Sequence, residues 1–221
     1  DFMERYFETA REVMQRGLCF AGVDFRGQGG SQRLCKDAMR GYVKSFASYD
    51  EDVRAFMTQV VLPNLPPPYY LIGHSTGGHV ALRVLLEQTW FKKALLSSPL
   101  LDVHYNAWPV PVVEALTWGA QFVGQGQAYL PGSRRSPLGR DDFDGNLLTH
   151  DRRRWLRDCA VLEAAPELAV GGPTYGWLRA ALNSFAKFRN LKEGTAFKCP
   201  VMAVLAGRDQ VVDNQSARDL S

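Results

Sequence analysis

The sequence predicts an α/β fold: a mostly parallel sheet with helices on both faces and an inserted helical cap. Three observations lead there. Short apolar runs alternate with stretches of helical spacing, the pattern of parallel strands joined by crossover helices. The runs carry few internal charges, as strands buried on both faces should. Between Pro99 and Lys198 the alternation stops, for far longer than the dozen or so residues a crossover requires.

The elements follow in order. Phe2 to Arg16 places Phe2, Met3, Tyr6, Phe7, Ala10, Val13 and Met14 at helical spacing, and Gly17 ends the run. "LCFAGVDF", Leu18 to Phe25, reads as a first buried strand, and "RGQGGSQR" as a glycine-rich loop. "SYDEDVRAFMTQVVLPNL" reads as a helix, acidic in its first turn and broken by Pro63. A proline-rich connection leads to a second strand ending at Gly73, then a helix from Gly77 to Glu87. "KKALLSS" and "CPVMAVLAG" supply two more strands. Helical patterns at "HDRRRWLRDCAVLEAAPEL" and "TYGWLRAALNSFAKFRNL" furnish the insertion. The expected domains are a core of residues 1–99 and 196–221 and a cap of residues 100–195.

The 221 residues suit one domain with an insertion. A net charge of +3, with no basic stripe interleaved with aromatics, gives no reason to expect a nucleic-acid partner. Cys19, Cys35, Cys159 and Cys199 are widely spaced and form no zinc pattern, so reduced thiols and a cytoplasmic setting are expected. The chain opens inside helical spacing and stops where another helix begins, so further chain is expected at both ends.

The chemistry is concentrated in "YYLIGHSTGGHVALRVLL". Gly73-His74-Ser75-Thr76-Gly77 fits G-x-S-x-G, with an apolar strand before it and a helix directly after. In such a corner the serine adopts a strained backbone, and residues two before and two after crowd the turn, hence the glycines. Ser75 becomes a candidate nucleophile. The Thr76 N–H, at the helix start, becomes a candidate oxyanion donor.

With that corner, the chain resembles the α/β-hydrolases, and within them the lysophospholipase and monoacylglycerol lipase branch, also described as serine aminopeptidase-like. The carrying stretches are "DFRGQGGSQR", "GHSTGGHVAL", "LLSSPLLD" and "PVMAVLAGRDQVVD". The resemblance implies an α/β-hydrolase fold and the triad order serine, acid, histidine. By the family's spacing after the strand, the acid role falls on Asp209, with Asp213 expected to cap the next helix instead. The histidine should follow Asp209, and none does: the chain's histidines are His74, His79, His104 and His150. His74 is expected to turn away from Ser75 and His79 to lie on a helix face; His104 and His150 are expected at the surface, with a rescue of the base role by either as the alternative. The resemblance therefore implies a nucleophile, an acid and one oxyanion donor here, with the base and the second donor on chain outside these residues. As given, the chain is expected to be a poor catalyst or none.

The implied reaction is hydrolysis of a single-chain lipid ester, such as a lysophospholipid or monoacylglycerol, through an acyl-enzyme and without metal or organic cofactor. Two alternatives stay open: a peptidase of the proline-iminopeptidase type, and a non-catalytic binding protein. "GQGGSQ" invites a dinucleotide reading, but Gln32 stands where G-x-G-x-x-G needs its last glycine. In the resembled family this loop is structural, and Arg26 is expected to hold loops together. Arg134, Arg135, Arg140, Arg152, Arg153 and Arg154 make the cap basic. Peripheral contact with an anionic membrane is one reading; a solvated face balanced by Asp141, Asp142, Asp144, Asp151 and Asp158 is preferred. Trp108, Trp118, Trp155 and Trp177 either line an acyl pocket or form the cap's own small core.

Overall fold

The computed structural model describes residues 1–105, 108–133, 135–137, 142–192 and 194–220. Arg134, Arg140 and Asp141 lie outside the described residues. The chain divides into two compact units, Asp1–Lys44 with Leu116–Arg179, and Ser45–Ala115 with Ala180–Ser221.

The first unit begins with a 3-10 turn, Met3–Tyr6, running into α1, Phe7–Gln15. Gly17 ends the helix at φ 80°, which its missing Cβ permits. Leu18 to Phe25 then departs from expectation: it forms no strand, and Leu18 is 48% exposed. Apolar composition favours an extended chain, but a strand exists only through its ladder, and no described segment pairs with this one. The glycine-rich loop closes on itself. Gly30 N donates to Asp24 Oδ2 (2.9 Å), Ser31 Oγ to the Asp24 carbonyl (2.6 Å), and Gly27 N to the Gln32 carbonyl (2.8 Å). Arg33 donates within the loop to the Gly27 carbonyl (2.8 Å) and beyond it to the carbonyls of Glu167 (2.5 Å) and Ala169 (3.1 Å). The unit's apolar cluster joins Phe2 to Leu162, Leu168 and Ala169.

In the second unit α2, Ala47–Phe56, continues through a π turn, Met57–Val61, into α3, Leu62–Asn64. The helix ends at Asn64, one residue past Pro63, as the sequence suggested, and the wider π turn precedes it. Three strands follow: β1, Tyr69–His74; β2, Phe91–Ser97; and β3, Val201–Val204. They form one parallel sheet in chain order, with Ile72 beside Leu95 and Leu95 beside Met202. α4, Thr76–Leu85, packs on β1 and β2, and α2 packs on α4. Ala81, Leu82, Leu96, Leu101 and Phe188 form the apolar centre.

The sheet departs from expectation on one face. Tyr70, Ile72, Met202 and Val204 are 47%, 53%, 61% and 50% exposed. Low charge in these strands records a preference for cover, and among the described residues that face receives none.

Between β2 and β3 the described helices are α5, Val110–Phe122; α6, Arg152–Ala164; a 3-10 turn, Pro166–Leu168; and α7, Tyr175–Arg189. α5 carries no helical signal strong enough to read in the sequence, because Pro109 precedes it and Pro111 and Gly119 lie within it. Asp151 caps α6, accepting from Arg153 N (2.9 Å) and Arg154 N (3.2 Å). The short α8, Asn214–Arg218, ends the described chain. No helix among the described residues is long and apolar enough to cross a membrane.

Candidate functional site

Ser75 occupies the corner between β1 and α4 with φ 50° and ψ −117°, a conformation that costs a non-glycine residue about 1–3 kcal/mol. It persists because its backbone is bonded on every side. Ser75 N donates to the Ser97 carbonyl (3.0 Å). The Ser75 carbonyl accepts from both His79 N and Leu100 N, each at 3.0 Å. Thr76 opens α4, so its N–H is among the helix-start donors with no intrahelical acceptor.

The glycines divide the crowding differently from the motif's symmetry. A Cβ on Gly73 would lie 2.9 Å from the Gly77 carbonyl oxygen and the Gly78 Cα. A Cβ on Gly77 would meet nothing within 4 Å. The expectation that Gly77 is sterically required is therefore corrected. Gly78 is the second crowded position, its Cβ direction running 3.0 Å from Pro99 Cα. α4 leans on the turn after β2 at that point, one residue beyond the motif.

Asp209 lies in the loop after β3 and is half-buried. Its Oδ1 accepts from Val211 N (2.9 Å) and Val212 N (2.8 Å), which fixes the carboxylate in the loop. Asp213 caps α8 as expected, accepting from Gln215 N (2.9 Å). Ser75 and Asp209 thus both follow the carboxyl ends of parallel strands in the same sheet, with β2 between them.

The histidines separate. His74 is exposed and its Nδ1 lies 3.1 Å from the Ser97 carbonyl, the same carbonyl that accepts from the Ser75 N–H. His104 is exposed, on a segment bonded to the acid's loop: its N–H donates to the Val211 carbonyl (3.1 Å), and Val103 bridges Val212. His150 is exposed in the other unit. His79 sharpens the sequence reading. It lies on a helix face as expected, but that face is the buried one: His79 is 0% exposed, enclosed edge-on by Phe46, Phe185 and Phe188. Burial, partly opposed by the hydrogen bond to Leu100 and reinforced by the Arg83 charge, lowers its pKa to about 3.

His79 belongs to a polar row that sequence reasoning missed. Its Nδ1 lies 2.7 Å from the Leu100 carbonyl and its Nε2 2.6 Å from Ser184 Oγ. Arg83 NH1 donates to Ser184 Oγ (2.9 Å), and Arg83 grips Asp50 with both Nε and NH2. A signal was available: His79 and Arg83 stand four apart, on one face of an otherwise apolar helix.

The cap residues divide too. Arg152, Arg153 and Arg154 are exposed, and Arg154 and Arg157 both reach Glu8, at 3.1 and 3.0 Å. Trp108 and Trp118 are each 57% exposed, which removes both from any internal core; Trp118 stacks on the exposed Phe122. Trp155 is half-buried against Phe143.

The chain is 29% identical to lysophospholipase L2 of Escherichia coli (strain K12) over 212 residues, 96% of this chain and 61% of that protein. It is 24% identical to the probable lysophospholipase L2 of Haemophilus influenzae, over 99% of this chain and 68% of that one. It therefore spans about three fifths of the length of the Escherichia coli relative. Two solved structures share the fold. The monoacylglycerol lipase of Paleococcus ferrophilus aligns with a TM-score of 0.69 at 19% identity, covering all of this chain and 74% of that one. A soluble variant of monoglyceride lipase from Saccharomyces cerevisiae aligns at 0.64 and 17%, covering all of this chain and 69% of that one. The family described as serine aminopeptidase, S33 (Hydrolase_4) matches residues 1–221, and the chain belongs to it, as a part of an α/β-hydrolase fold.

Proposed function

We propose that the protein hydrolyses carboxylic esters through an acyl-enzyme, with Ser75 as nucleophile. The observation that carries this reading is the Ser75 backbone at φ 50°, strained at a strand-to-helix corner and held there by three main-chain hydrogen bonds. Ser75 Oγ attacks the ester carbonyl and gives its proton to an imidazole. The carbonyl oxygen gathers negative charge, stabilised by the Thr76 N–H. As the tetrahedral intermediate collapses, the proton passes to the departing alcohol. Water then repeats the sequence and frees the acid. Asp209 orients the imidazole, which is supplied by a histidine outside these 221 residues. Residues 100–195 form the cap. The exposed side chains of Leu116, Trp118 and Phe122 give it apolar surface suited to peripheral contact with lipid. The substrate class is a lysophospholipid or monoacylglycerol, supported by the names of the relatives.

The test is intact-mass detection of a fluorophosphonate adduct. A chain extended past Ser221 through the next histidine is expected to take up one adduct, lost in Ser75→Ala. The 221-residue chain is expected to label about a millionfold more slowly, the scale of losing a triad base. Rapid labelling of the shorter chain would overturn the assignment of the base and direct attention to His104, beside the Asp209 loop. The family description favours one rival, aminopeptidase action. Hydrolysis of an N-terminal prolyl amide faster than of a lysophospholipid would establish it.

A further inference from the structure

The His79 row has one consistent direction. Arginine only donates, so Ser184 Oγ accepts from Arg83 NH1. A hydroxyl can accept twice, so the direction is set at the other ring nitrogen: the Leu100 carbonyl can only accept, and in the neutral ring Nε2 is then bare and accepts from the Ser184 hydroxyl. Nδ1 consequently carries the hydrogen and donates to the Leu100 carbonyl, an acceptor that could engage no other tautomer. Asp50 anchors the far end through Arg83.

What this row grips is the turn beneath the candidate nucleophile. Leu100 is bonded twice: its N–H to the Ser75 carbonyl and its own carbonyl to the His79 ring. The His79 N–H shares the same Ser75 carbonyl. The preceding Pro99 lies against Gly78, and Ser98 holds a second left-handed backbone at φ 42°. Ser75 is thus bonded to the residues on either side of the strained Ser98, through Ser97 and Leu100, and the His79 ring closes that set of bonds. An apolar side chain would fill the aromatic enclosure at lower desolvation cost, so packing alone gives no reason for an imidazole.

We propose that His79 is a positioning residue for Ser75: a neutral imidazole, protonated at Nδ1, that holds the Pro99-Leu100 turn against the elbow and so keeps Ser75 in its strained conformation. The proposal rests on the reading of Ser75 as nucleophile.

The experiment uses the 221-residue chain, amide hydrogen exchange and the ring 15N spectrum of His79. Asparagine at position 79 offers a donor where Nδ1 stands; glutamine reaches only toward Nε2. In His79→Leu and His79→Gln the Leu100 amide is expected to exchange about tenfold faster relative to the Leu96 amide of the sheet, and in His79→Asn to recover most of that protection. Equal protection in the Asn and Leu variants overturns the proposal. Should the Leu variant not fold, the parent chain still decides. Its spectrum must show a protonated Nδ1 and a bare Nε2 that do not titrate between about pH 5 and 8, and the opposite tautomer overturns the direction of the row. Fluorophosphonate labelling of the extended chain is read separately. No adduct there refutes the nucleophile and leaves the exchange pattern standing. An adduct with unchanged exchange in every variant refutes the positioning role.

Discussion

Both units tie helices together with arginine and carboxylate, and they do so in opposite surroundings. In the second, Arg83 and Asp50 are 6% and 21% exposed at the side chain, and the pair continues through Ser184 to a fully buried histidine. In the first, Arg154 and Glu8 are 58% and 44% exposed, with Arg157 sharing the same carboxylate. The Glu8 carboxyl is held below its usual range by its hydrogen bonds to Arg154 and Arg157. The difference teaches what burial does to a charge. In water an ion pair exchanges one set of solvating groups for another and is worth little. Out of water each partner depends on the other's position, so the pair becomes a geometric constraint.

The largest expected effect is on the buried side. Arg83→Met strands the Asp50 carboxylate and leaves Ser184 without its donor, at a cost of about 3–5 kcal/mol. A fall in the urea midpoint at unchanged slope would measure it. If the double variant with Asp50→Leu is no more stable than Arg83→Met, the constraint does not come from an orphaned charge.

His79 gives a pH signature. Its folded pKa, about 3, lies below the ordinary 6.5. The unfolded chain thus takes up a proton that the folded one refuses. The resulting stability is fully present above about pH 6.5 and is lost as pH falls toward 3, by up to ~1.4 kcal/mol per pH unit. His79→Asn should flatten the stability profile between about pH 6.5 and 5, before most carboxylates titrate.

The elbow glycines sharpen the contrast sterically. Gly78→Ala, pressed on Pro99, is expected to cost about 1–3 kcal/mol, while Gly77→Ala changes stability by roughly 0.5 kcal/mol or less. Equal thermal shifts for the two would contradict the crowding described above. The smallest effect belongs to the exposed cluster. Glu8→Gln should leave the urea midpoint unchanged at moderate salt, with any shift at low salt erased by sodium chloride.

The strand-to-helix corner was legible because it is local: an apolar run, two glycines, a serine and a helix start lie within a dozen residues. The caps at Asp151 and Asp213 were within reach for the same reason, each set by bonds to nearby residues. What was lost depends on residues far along the chain. Leu18 to Phe25 has the composition of a strand but needs a partner to be one. His79 is defined by Leu100 and Ser184, 21 and 105 positions away, and only the polar pair in an apolar helix hinted at it. Gly78, beside the conspicuous motif, is required by Pro99, a neighbour in space alone.

The three-stranded sheet has a practical consequence. Among the described residues the order is β1-β2-β3, so β1 and β3 are its edge strands, and the apolar Tyr70, Ile72, Met202 and Val204 stand exposed along them. The two lysines of the sheet, Lys92 and Lys93, sit on the central β2, where they guard neither edge. Unpaired main-chain groups flanked by apolar side chains are a template for another molecule's strand. Concentrated preparations of these 221 residues are therefore expected to aggregate through the sheet, and a charged substitution at Ile72 or Met202 is the direct way to keep them in solution.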